Sequence, residues 1–100
     1  MKICVIGGGP SGPTCVKACK EENVDVVCYE KSNCFGGLWN FGASEQNSEL
    51  ATVARSTIIN SSKELSAFSD FVPDASLPNY FHNSLMVSAF DFRKAIVFLN

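Results

Sequence analysis

The feature that most constrains this chain is the passage from an apolar run into glycine over residues 2–12, K-I-C-V-I-G-G-G-P-S-G. Ile3, Cys4, Val5 and Ile6 are uninterrupted by polar residues, the pattern of a strand buried on both faces of a parallel sheet. Gly7, Gly9 and Gly12 then satisfy G-x-G-x-x-G. In a dinucleotide site these glycines allow a tight turn out of the strand, close approach of backbone to a pyrophosphate, and close packing of the next helix. The phosphates would lie at the amino end of that helix, where N–H groups without intrahelical partners and the helix dipole favour negative charge.

Glycine-rich turns are common, so the surroundings decide. Cys15, Val16, Ala18 and Cys19 mark one face of a predicted helix, with Lys17, Lys20, Glu21 and Glu22 on the other. Asn23 tolerates positive φ and is expected to end that helix. Pro13 falls early in it, where the missing N–H matters little, and is expected to weaken the packing of helix on sheet. A second strand-like run, Val24 to Tyr29, leads to Glu30. A carboxylate there is suitably placed to accept hydrogen bonds from an adenosine ribose.

One hundred residues allow a single small domain, and 46% hydrophobic against 18% charged residues describes a globular chain. A net charge of -2 provides no basic field for nucleic acid. No apolar run reaches the roughly 18 residues of a membrane helix, and the glycines argue against a signal peptide. A cytosolic or cytosol-facing location is expected. The five cysteines lack the paired spacing of a zinc site and read as small apolar residues, so no metal is expected. His82 stands alone and suggests neither ligand nor catalyst.

After Glu30 comes K-S-N-C-F-G-G-L-W-N-F, whose glycine pair, Gly36 and Gly37, would let the chain double back past the nucleotide. The words G-G-G-P-S-G and E-K-S-x-x-x-G-G-L-W-x-F together resemble the start of the flavin-containing monooxygenases. Asn60 to Leu65, Phe68 to Phe71 and Pro78 to Ser84 resemble that family's next segments in the same order. The resemblance implies an α/β fold with a Rossmann-like βαβ FAD-binding unit and a parallel sheet, apparently incomplete. Residues 1–100 would be the N-terminal part of an FAD-binding domain, with no second domain present.

It further implies that Gly7, Gly8, Gly9, Pro10, Ser11 and Gly12 wrap the FAD pyrophosphate and that Glu30 binds the adenosine ribose. Leu38 and Trp39 would line the flavin. Ile59 and Asn60 would stand beside the flavin and the nicotinamide of NADPH, with Asn60 as the catalytic residue. An asparagine amide donates and accepts at once, which suits that position. The plain alternative for Asn60 is a loop or N-cap residue ahead of a capping box from Ser61 to Glu64. Phe68, Phe71 and Phe81 read as core.

Implied chemistry is oxygen transfer from O2 to a soft amine or sulfide, with electrons from NADPH. A full-length parent could attach to the endoplasmic reticulum membrane through regions beyond this chain. Neighbouring families fit less well: no redox cysteine pair follows Gly37, and the Asn-Arg-Tyr-Pro-Gly-like word of the ring-expanding monooxygenases is absent. Another two-nucleotide flavoprotein oxidoreductase and a non-catalytic nucleotide-binding fragment are the alternatives. At the far end, Leu85 to Phe92 is an apolar stretch and Ala95 to Leu99 reads as a third buried strand.

Overall fold

A computed structural model describes residues 1–40 and 51–89. Phe41 and the third strand expected over residues 95–99 lie outside the described residues. The chain opens with β1 (Lys2–Ile6), α1 (Ser11–Glu21) and β2 (Asp25–Tyr29). The two strands pair in parallel, with Ile3 opposite Val26 and Val5 opposite Cys28, in a two-stranded sheet. This is a small α/β fold, consistent with an incomplete Rossmann-like unit.

The pleat sends alternate residues to opposite faces, and α1 covers one of them. Ile3 and Val5 are half-buried, whereas Cys4 is exposed and Ile6 is 87% exposed. The expected burial of β1 on both faces is therefore not met among the described residues. The face of α1 is also rotated from the expected one. Gly12, Pro13 and Val16 are buried and Cys19 is half-buried, while Cys15 and Ala18 point outward. Pro13 is fully buried rather than disruptive. It stands in the first turn of α1, where an N–H would have no intrahelical partner, so the ring contributes packing at no cost in hydrogen bonds.

The end of α1 follows expectation. Asn23 adopts φ 55°, Val24 N–H donates to the Cys19 carbonyl at 2.8 Å and Asn23 N–H to that of Lys20 at 3.0 Å. These are the two bonds of a Schellman cap, which turn the chain directly into β2.

Beyond the sheet the chain is mostly irregular, with short helices α2 (Lys63–Ser66) and α3 (Met86–Ala89). Its core is Ile59 and Phe81, against which Trp39, Phe68, Leu77, Leu85, Met86 and Val87 pack. Of the aromatic residues expected in the core, Phe81 is at its centre and Phe68 packs against it, whereas Phe71 is half-buried and stands outside this cluster. The cap of α2 is one residue later than expected. The Ser62 hydroxyl accepts from Leu65 N–H, and Ser61 instead pairs with the Ser66 hydroxyl at 2.6 Å.

Lys63 is 5% exposed, and its ammonium donates to the carbonyls of Asp74, Ala75 and Leu77 at 3.2, 2.9 and 2.6 Å. Three carbonyl dipoles take the place of water around this charge, so the loop over residues 74–77 closes on α2. Lys63→Met keeps an apolar stem but removes the ammonium donor that gathers those carbonyls. It is expected to lower stability by about 1–2 kcal/mol, read from urea denaturation.

Candidate functional site

The glycine turn forms a cradle at the carboxyl end of β1. Gly7 has φ 101°, a conformation that glycine alone adopts freely, and its N–H donates to the Tyr29 carbonyl at 2.8 Å. A cavity of about 380 Å³ opens here, lined by Val5, Ile6, Gly7, Gly9, Pro10, Ser11, Gly12 and Cys15. Each glycine has a different reason to lack a side chain. A Cβ at Gly12 would overlap the Gly7 carbonyl oxygen, and one at Gly8 would press on Phe35 and Glu30. A Cβ at Gly9 would meet nothing within 4 Å, so the space above Gly9 is open to a ligand.

Glu30 closes the cradle from below. One carboxylate oxygen accepts from Gly8 N–H, and the other accepts from the Ser32 N–H at 2.7 Å and the Ser32 hydroxyl at 2.8 Å. The Ser32 backbone N–H, with Gly8 N–H and the Ser32 hydroxyl, holds the carboxyl below its ordinary pKa against the opposing effect of burial. Glu30 is therefore an anion locked to the turn it faces. Cys28 stands behind the turn, its Sγ 3.8 Å from the Gly7 carbonyl, and burial pushes its thiol pKa up. A thiol in that position acts as packing rather than as a nucleophile.

The second glycine pair ties this cradle to another cavity. Gly36 N–H donates to the Gly8 carbonyl at 2.8 Å, and Gly37, at φ 54°, lies directly against the Gly9 backbone. The chain then makes a 3-10 turn over Gly37–Trp39. Trp39 lines a cavity of about 270 Å³ together with Thr57, Ile58, Ile59, Asn60, Ser61, Ser66 and Met86. The structure thus places Trp39, Ile59 and Asn60 together, and Gly7, Gly9, Pro10, Ser11 and Gly12 together around the other cavity. Gly8 and Glu30 bond to each other beneath the cradle. Leu38 is 49% exposed and lines neither cavity, its carbonyl accepting from Val53 N–H at 3.2 Å. Asn60 is an exposed loop residue, and Ser62 takes the capping role.

Sequence reasoning missed Ser32, Thr57, Ser66 and Met86. Ser32 had a local signal, since a hydroxyl two residues beyond a carboxylate can fold back on it. The others have none, because they reach the cavity only through the packing of distant segments.

A flavin-binding monooxygenase-like family model matches residues 1–97. The chain belongs to that family. It is 46% identical over 90 residues to flavin-containing monooxygenase 5 of Mus musculus and 42% identical over 90 residues to that of Homo sapiens. Identity to dimethylaniline monooxygenase (N-oxide-forming) 2 of Mus musculus is 40% over 89 residues. Each match covers 89% of this chain and 16% of the relative, so the chain spans about one sixth of the length of these curated relatives. No helix among the described residues is long and apolar enough to cross a membrane.

Proposed function

We propose that residues 1–100 are the N-terminal part of the FAD-binding domain of a flavin-dependent monooxygenase. The carrying observation is the cradle, with open space over Gly9 at the amino end of α1 and the Glu30 anion fixed beneath it. A dinucleotide pyrophosphate fits above Gly9, with Pro10, Ser11 and Gly12 at the head of the helix and Gly7 shaping the turn. Gly8 acts by holding Glu30, since its N–H donates to that carboxylate. Gly8, Ser32 N–H and the Ser32 hydroxyl engage three of the roughly four lone-pair positions of the carboxylate. The adenosine ribose would donate to what remains.

In the second cavity Trp39 offers an aromatic face, Ile59 an apolar wall and Asn60 an amide that both donates and accepts. Leu38 and Trp39 stand on the turn that leads from the glycine cradle to this cavity, where a flavin ring would meet Trp39. When bound, FAD with NADPH and O2 supplies oxygen transfer to a soft amine nitrogen or sulfide sulfur, releasing water and NADP+. The protein's part would be to anchor the nucleotide at the cradle and to present Trp39, Ile59 and Asn60 to the ring. The 100 residues carry a single G-x-G-x-x-G, so this chain alone is proposed to bind nucleotide without turning over.

The test is retention of flavin. The purified chain incubated with FAD and then washed is expected to keep visible flavin absorbance, and ADP should compete for the site. Gly9→Ala should reduce that retention about tenfold or more by filling the space for phosphate, with folding unchanged because the new Cβ meets no protein atom. Absence of flavin after incubation at high micromolar FAD would remove the claim that these residues form a usable site.

A further inference from the structure

The segment carrying Ile59 and Asn60 has little regular structure, yet its backbone carbonyls converge on one buried side chain. Asn83 is 1% exposed. Its Nδ2 donates to the carbonyls of Ala54, Arg55 and Thr57 at 3.2, 3.0 and 3.0 Å, and its backbone N–H donates to Thr57 at 2.9 Å. Two amide hydrogens face three acceptors, so these bonds are shared. The flanking residues extend the clamp. His82 Nδ1 accepts from Ser84 N–H at 3.2 Å, which leaves Nε2 as the donor to the Arg55 carbonyl at 2.7 Å. Ile59 N–H donates to the Phe81 carbonyl at 3.1 Å, and Ile58 bridges His82 in antiparallel fashion.

We propose that Asn83 is a positioning residue for the cavity shared by Trp39, Ile59 and Asn60, holding residues 54–59 in the register that brings Asn60 to it. The role toward flavin rests on the function proposed above. Chemistry selects asparagine here. Three carbonyl oxygens repel a carboxylate, a hydroxyl offers only one donor, and an apolar residue offers none. Nothing in Asn83 touches the cavity itself, so its effect passes through the backbone of residues 54–59.

The decisive experiment uses the full 100-residue chain and Asn83→Asp, which keeps the shape and removes both N–H donors. Amide hydrogen exchange at Ile59 is expected to accelerate about tenfold or more, while the strand amides of β1 and β2 exchange as in the parent. Trp39, the single tryptophan, should shift its emission to the red as the cavity opens, and FAD should quench it with weaker affinity. Asn83→Ser, which keeps one donor and introduces no charge, should fall between parent and Asn83→Asp in all three readouts. Unchanged Ile59 exchange in both variants overturns the clamp. Equal acceleration in the strands also overturns it, because that marks general loosening rather than positioning. Parental FAD affinity despite fast Ile59 exchange overturns the link from clamp to cavity. Failure of the parent itself to bind FAD instead overturns the flavin function, and the exchange and emission comparisons then still decide the clamp.

Discussion

Gly12→Ala is expected to lower the stability of the chain by about 3 kcal/mol or more and to abolish flavin retention. In an unconstrained helix the same change would be favourable by up to roughly 1 kcal/mol, since alanine is the better helix former. Here the clash decides the sign. The new Cβ would overlap the Gly7 carbonyl oxygen, well inside the 3.0 Å that such contacts require. That oxygen cannot move cheaply. Gly7 is held at φ 101° with its N–H bonded to Tyr29, so displacing it disturbs the end of the β1–β2 pairing. A domain of this size has on the order of 5–15 kcal/mol of stability, and a loss of 3 is a large share of it. Denaturation followed by far-UV circular dichroism, with Gly9→Ala as the control, measures the effect. A midpoint equal to the parent's would show that the turn yields to a methyl group.

Glu30→Gln is expected to cost about 1.5–3 kcal/mol and to weaken flavin retention about tenfold or more, because the amide keeps one acceptor oxygen and sets an NH2 donor against the N–H of either Gly8 or Ser32, so the charge and at least one bond are lost. Its pH signature separates it from other defects. The folded carboxyl titrates below its ordinary value of 4.5, chiefly because the Ser32 backbone N–H bonds to the anion. A depressed pKa means stability that is fully present above pH 4.5 and is lost as the pH falls through the folded value. The parent should therefore lose stability in that acidic window, and the difference between parent and Glu30→Gln should shrink there. A constant difference down to the acid limit would show that the carboxylate charge contributes nothing to the fold.

Much of the cradle was legible in the chain because its signals are local. An apolar run, a glycine spacing, an asparagine able to take positive φ and a carboxylate after the second strand each act over a few residues. The structure has β1, α1, the Asn23 cap, β2 and Glu30 in those places. Burial was less legible. The composition of Ile3 to Ile6 suits a doubly covered strand, yet only α1 covers it among the described residues, and Ile6 is 87% exposed. The apolar residues of α1 likewise suggested a face through Cys15 and Ala18, while the close approach of Gly12 and Pro13 to the sheet fixed a different one.

The sequence by itself determined the family, the glycine cradle and the acidic residue beneath it, because each depends on residue type at short spacing. Only the tertiary structure decided how the cradle communicates with Asn60. Gly36 and Gly37 pack on Gly8 and Gly9, Trp39 carries the chain to the second cavity, and Asn83 holds residues 54–59 from the opposite side. Those contacts join residues far apart in the chain through shared backbone hydrogen bonds, and no local pattern encodes which carbonyl a buried amide will find.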